Sequence, residues 1–249
     1  MHWFHEWTIL PEVSMPTELA RASGSVTYPA ARLAMGASAL FVLCLAALHV
    51  LRPDLDPSWH FISDYEVGEW GWVMRVAFLS LAAGCFGALV ALLPHARGIV
   101  GRLGLLLLLV SGSGIALADF FAPSTTNTLH ETGAMLDQLP LAALLISFSL
   151  WRTMGWQSAR WTLAWSLLVL WAGMAVFIGA MVVMEPSKDK PPSPDVLVGW
   201  PSRIFIVTHA AWLVPVAWCA ARIESARSTG SAHAEASCAV GQTNLEHVT

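Results

Sequence analysis

The 249 residues are 56% hydrophobic and only 12% charged, with mean hydropathy +0.60, where a soluble domain carries about 25% charged residues. A formal charge of -4 gives no basic face of the kind nucleic acid needs, so nucleic-acid binding is excluded. Most of this chain belongs in lipid.

Residues 1–28 read as an interfacial or flexible segment, broken by Pro11, Pro16 and Gly24 and carrying His2 and His5. No basic start precedes an apolar core there, so no cleavable signal peptide is expected. The first spanning run is 31–51, long enough at 1.5 Å per residue to cross a hydrocarbon core of about 30 Å. It ends near His49. A polar stretch with five acids follows, containing HFISDY, before the second run at 72–93. The third, 103–121, includes Ser111, Gly112, Ser113 and Gly114, small residues that let helix backbones approach closely in lipid.

Between the third and fourth runs lies the most polar interruption, ADFFAPSTTNTLHETGAMLDQLP. The fourth run, 134–150, carries Asp137 and Pro140 near its start. Because proline frees a backbone carbonyl that lipid cannot satisfy, that first turn should face other helices or water. The fifth run, 161–184, contains no charge; the connection after it is proline-rich and should not be helical. The sixth, 204–221, carries His209 and Pro215. From 223 to 249 small polar residues predict a disordered tail.

These six spans predict an all-α polytopic bundle of the cytoplasmic (inner) membrane. Lysine and arginine near the span ends favour both termini inside. Tryptophans near the ends of the runs, Trp59, Trp70, Trp72, Trp151, Trp156, Trp161 and Trp200, suit the headgroup region. Cys44, Cys85, Cys219 and Cys238 are scattered and read as small buried residues rather than a disulfide or zinc framework.

With both ends inside, the ionisable groups near the spans gather at the outer level. Charged groups at membrane depth normally face the bundle interior and pair with one another. We therefore expect an outer-facing polar pocket built from the first, second, third, fourth and sixth spans, with Ser63, Asp64, Tyr65, Arg75, Asp119, His130, Asp137, Arg203 and His209 as its ligand-binding residues. Arg75 and Asp119, of opposite sign and similar depth, are candidates for a structural ion pair. Arg203 is expected to meet a carboxylate of this protein. His209, about 9 Å along its helix from Arg203, either bonds a neighbouring helix or serves a metal or a proton.

Two function classes follow. The first is a protein binding a small molecule, a lipid-like ligand or a partner through the outer pocket. The second is a metal-dependent hydrolase or lipid-modifying enzyme, with a transition metal on His49, His60, His130 and His209 and carboxylates from Asp64, Asp119 or Asp137. No H-E-x-x-H or H-x-x-x-H pair sets two imidazoles on one helical face. A proton-coupled carrier ranks third, because the inner halves of the spans offer few polar groups. Sequence alone leaves enzyme activity and oligomeric state open; the bilayer is the one partner it implies.

HFISDYEVGEWGWVMRVAFLSLAAG after the first span, ADFFAPSTTNTLHETGA after the third and WPSRIFIVTHAAWL opening the sixth together resemble the bacterial membrane family called domain of unknown function 998. The resemblance spans about 31–221. It aligns Ser63, Asp64 and Tyr65 with a Ser-acid-Tyr segment before the second span. Asp119, Pro123 and His130 align with the third outer connection, and Arg203 with the start of a late span. An acidic, glycine-interrupted first outer loop and a long proline-rich fifth connection depart from that pattern. The family has no established reaction, so what it implies here is architecture.

Overall fold

A computed structural model describes residues 17–121, 128–185 and 193–246. The described residues form seven α-helices: α1 (Thr17–Leu51), α2 (Gly71–Leu92), α3 (Gly98–Phe120), α4 (Thr128–Met135), α5 (Leu139–Arg152), α6 (Arg160–Met184) and α7 (Gly199–Glu246). Six spans are long and apolar enough to cross a membrane, α4 and α5 together making the fourth. This is an all-helical, multi-pass membrane protein. His2, His5, Pro123 and most of the proline-rich connection lie outside the described residues.

Helices α2 and α7 form the centre and are the most buried spans, while α6 is the most apolar and the least buried. A helix apolar on nearly every face has no side to offer water, and its natural environment is lipid. Helix α1 packs on α2 and α7, α3 sits between α2 and α5, and α6 leans on α7 and α5. The core runs through Phe41, Met74, Leu81, Leu108, Ile146 and Trp212.

Small residues set the close contacts, as their spacing predicts. A Cβ at Gly112 would stand 2.9 Å from the Phe86 ring, and one at Gly114 would stand 2.7 Å from the Gly133 carbonyl oxygen. The α3 backbone therefore lies against α2 side chains at Gly112 and against the α4 backbone at Gly114.

Three expectations are corrected. The fourth span is not one helix: α4 ends at Met135 and α5 restarts at Leu139 with Pro140 in its first turn. Proline suits a first turn because its missing N–H needs no partner there. The break turns Asp137 inward, leaving its side chain 9% exposed. The tail is the second case, since α7 continues to Glu246 where composition predicts disorder; its many alanines favour helix. The third is Trp156, which is fully buried, whereas Trp72, Trp151, Trp161 and Trp200 are exposed as an interfacial role requires. Cys44, Cys85 and Cys219 are free thiols.

Candidate functional site

The connection from α1 to α2 folds over one end of the bundle. Arg52 starts it, donating from Nε to Asp54 Oδ1 (2.9 Å), from Nη2 to Asp54 Oδ2 (2.7 Å) and from Nη1 to the Val67 carbonyl (2.5 Å). These bonds close the loop on itself. Gly68 completes the closure with φ +102°, and a Cβ there would meet Arg52 Nη1 at 3.2 Å; only glycine takes that conformation readily. Inside the loop, a short 3-10 helix over Ile62–Glu66 is pinned by Asp64, whose Oδ2 accepts from the Phe61 N–H (2.9 Å) and from His60 Nδ1 (3.1 Å). Tyr65 and Glu66 are thereby carried inward, 0% and 4% exposed.

Arg203, 3% exposed in the first turns of α7, locks the loop to the bundle. Its Nη1 donates to the carbonyls of His60 (2.7 Å), Gly199 (3.0 Å) and Pro57 (3.2 Å), and its Nε to His49 Nε2 (3.2 Å). The Gly199 N–H bonds the Ser58 carbonyl (3.0 Å) beside it. His49 donates from Nδ1 to the Leu45 carbonyl (2.8 Å), which leaves Nε2 as the acceptor the arginine needs. The guanidinium also lies 5.1 Å from the Tyr65 ring centroid. Arg203 meets no carboxylate, contrary to expectation: the loop over α7 brings main-chain carbonyls to it first.

A second group lies deeper on α7. His209 Nε2 is 2.7 Å from Asp137 Oδ2 and its Nδ1 is 3.0 Å from the Phe205 carbonyl. Ser111 of α3 donates to Asp137 Oδ1, which also takes the Leu139 N–H at 3.2 Å. A serine, an aspartate and a histidine are in contact here, but the serine bonds the carboxylate and not the imidazole. That order activates no nucleophile. It is a buried, satisfied polar junction between α3, α5 and α7.

The third group is unsatisfied. Both Glu66 carboxyl oxygens, Asp119 Oδ1, the Tyr65 hydroxyl and Arg203 Nη2 are buried with no hydrogen-bond partner among the described residues. Asp119 is 2% exposed. Burial first, and then the Asp119 charge, push the Glu66 carboxyl up to about 8, with the Arg75 guanidinium opposing. Arg75 itself is exposed on α2 and makes no ion pair with Asp119. The expected structural pair is absent among the described residues, because α2 turns the arginine outward while α3 turns the aspartate in.

The remaining predicted residues do not converge. His130 donates from Nδ1 to the carbonyls of Ala118 (2.9 Å) and Phe121 (3.0 Å), capping the end of α3. Asp64 serves its own loop, and Ser63, half-buried, bonds neither His60 nor Asp64. His49, His60, His130 and His209 therefore have separate partners. Among the described residues, no three His, Cys, Asp or Glu side chains are placed to share a metal. Sequence reasoning missed Glu66, which stands next to Tyr65 with no pattern to mark it. It also read Ser111 as a packing residue, since nothing in a sequence shows a bond spanning 26 positions.

The chain has no detectable match among curated proteins or among solved structures. A family model described as "Protein of unknown function (DUF998)" matches residues 35–219, which takes in the second to fifth spans, most of the first and sixth, and all three polar groups. The chain belongs to that family of unknown function.

Proposed function

We propose that this protein binds a small polar or lipid-headgroup-like ligand at the Glu66 end of its bundle, and that this end faces out of the cytoplasmic membrane with both termini inside. The supporting observation is the set of buried, unpartnered groups on Tyr65, Glu66, Asp119 and Arg203. Buried polar atoms are nearly always hydrogen-bonded, and each orphan costs roughly 1–3 kcal/mol. Several together in one region form a recognition surface. Carboxyl oxygens of Glu66 and Asp119 suit a ligand's amine or hydroxyl donors, while Arg203 Nη2 suits an acceptor. The hydrolase alternative gains nothing from the histidines, each of which has its own local partner.

The ligand is tested by native mass spectrometry of the detergent-purified chain beside Glu66→Gln/Asp119→Asn. A small molecule retained by the unmutated protein and lost from the double variant supports the reading. Identical bound species, or none in either, overturn it. Orientation is tested with an impermeant thiol reagent on whole cells: Asp54→Cys should label and Gln157→Cys should not, and the reverse pattern inverts the topology.

A further inference from the structure

The opposite end of the bundle holds a different cavity, of about 560 Å³, between the α2–α3 turn, the end of α5 and α7. Arg97, Arg152 and Arg227 line it, and among the described residues no acidic one does. Arg227 has a loose contact with Glu224 at 3.7 Å, and Arg152 lies over the Phe148 ring at 4.3 Å; neither guanidinium is saturated. The first turn of α3 opens into the cavity at Gly98, Ile99 and Val100, with no side-chain cap. Free N–H groups and the positive end of a helix favour an anion there.

A second observation points the same way. His95 lines this cavity, is 1% exposed, and has no partner on either ring nitrogen among the described residues. Trp156 meets it edge-on at 5.5 Å, so one side of the imidazole is closed by an aromatic ring. A neutral imidazole keeps one N–H to donate, and His95 lines a cavity with room for an acceptor.

This cavity adjoins an apolar groove. Between α5 and α6 runs a trough of about 740 Å³ lined by Leu144, Leu163, Leu167 and Trp171, and it shares Phe148 and Arg152 with the cationic cavity. Its walls are almost wholly apolar, and one of them is the least buried span. A free anion would leave that groove unused. A molecule with a phosphate at one end and an acyl chain at the other fills both.

We propose that the His95 end is a specific site for an anionic phospholipid, its phosphate among Arg97, Arg152 and Arg227 at the start of α3 and one chain in the α5–α6 groove. Charge complementarity identifies the headgroup and continuity of the two cavities identifies the chain. Basic pockets between spans are a known physical means of holding such headgroups. The site is separate from the Glu66 end and does not depend on what binds there.

The test follows intrinsic tryptophan fluorescence during thermal unfolding of the delipidated, detergent-solubilised full chain. Dioleoylphosphatidylglycerol, dioleoylphosphatidylcholine and inorganic phosphate are titrated separately. The site predicts stabilisation by phosphatidylglycerol alone, with apparent affinity about tenfold weaker in Arg152→Gln and in Arg97→Gln, each of which loses a charge-assisted contact. Arg102→Gln, an exposed charge at the same end outside the cavity, should bind as the unmutated chain does. Leu144→Trp, at an exposed position of the groove wall, fills the groove and should weaken phosphatidylglycerol without touching the arginines. Equal stabilisation by phosphatidylcholine overturns the headgroup. An equal loss in Arg102→Gln reduces the effect to general surface attraction and overturns the site. Stabilisation by inorganic phosphate at the same concentrations, unchanged by Leu144→Trp, makes it a free-phosphate site and overturns the lipid.

Discussion

His209 Nε2 stands 2.7 Å from Asp137 Oδ2, and each of these side chains has all its other bonding directions assigned. Nδ1 of the histidine donates to the Phe205 carbonyl, which can only accept. Asp137 Oδ1 already receives the Ser111 hydroxyl and the Leu139 N–H. One proton therefore lies between Nε2 and Oδ2, and the pair is either imidazolium with carboxylate or imidazole with carboxylic acid. In both forms it is neutral overall and joins three helices inside the membrane.

That arrangement separates two substitutions. Asp137→Asn keeps the shape and offers an N–H to a neutral His209, so it should cost under about 1 kcal/mol. Asp137→Ala leaves the imidazole and Ser111 buried without partners and should cost about 3 kcal/mol or more. Thermal unfolding in one detergent compares them. Equal losses would mean that the charge of Asp137, not its geometry, holds the junction.

The pair also shows what a sequence can convey. Runs of apolar residues mark six spans because lipid imposes length and polarity on any crossing segment. Asp137 and His209 stand out for the same reason, as polar residues in apolar runs. Their contact was legible only as a shared depth. The partners of Arg203 were not legible, because main-chain carbonyls carry no residue identity. Glu66 escaped because its burial depends on a loop closed by Arg52 and Gly68, and Asp64, three residues past Phe61, was better placed to look functional than it is. At the other end, PHARGIVGR reads as a basic turn, and only the packing of Trp156 reveals a buried His95 within it.

Glu66 should make stability fall as pH rises. Its carboxyl is raised from an ordinary 4.5 to about 8 by burial, then by the Asp119 charge. Between those values the folded chain holds the proton more tightly than the unfolded chain does, so the stability present below 4.5 declines until the folded carboxyl ionises. Glu66→Gln should flatten that decline and leave the protein more stable at pH 8 by an amount on the order of a few kcal/mol. Chemical denaturation at pH 5, 6.5 and 8 measures it, and parallel curves for variant and parent would remove Glu66 from the account.

His95 should act with the opposite sign. Burial, followed by the charges of Arg227 and Arg97, lowers its pKa from 6.5 to about 4. The unfolded histidine takes a proton first on acidification, so stability is full above 6.5 and is lost as pH falls toward 4. His95→Phe, which packs against Trp156 without titrating, should remove the acid-side loss and leave the alkaline decline from Glu66 untouched. A change on both limbs would mean that the two ends of the bundle are coupled.

Gly114 reports on the α3–α4 contact that positions Asp137. An added Cβ would lie 2.6 Å from the Leu136 side chain and 2.7 Å from the Gly133 carbonyl, so backbone must move. Gly114→Ala should cost roughly 1–3 kcal/mol as overpacking does, whereas Gly36→Ala, with nothing within 4 Å of the new methyl, should be neutral or stabilising. Adding Asp137→Asn to Gly114→Ala should then cost less than the two changes do separately, since displacement of Leu136 already disturbs the neighbouring carboxylate.

Arg203→Lys tests whether the lock on the α1–α2 loop is a matter of charge or of geometry. A lysine keeps the charge and can reach one or two carbonyls, but it cannot donate to His49 while also meeting Pro57, His60 and Gly199. With the loop partly released, the main chain of 57–60 loses its hold on α7, and Tyr65 and Glu66, carried by the same loop, lose their fixed burial. The substitution should therefore cost about 2 kcal/mol in global stability and speed amide exchange across 57–66 well beyond the change elsewhere. Hydrogen exchange with mass spectrometry reads both at once. Exchange rising uniformly over α7 and the loop would instead place the lesion in the helix, and the guanidinium would then be a packing residue of α7 rather than the clasp of the site.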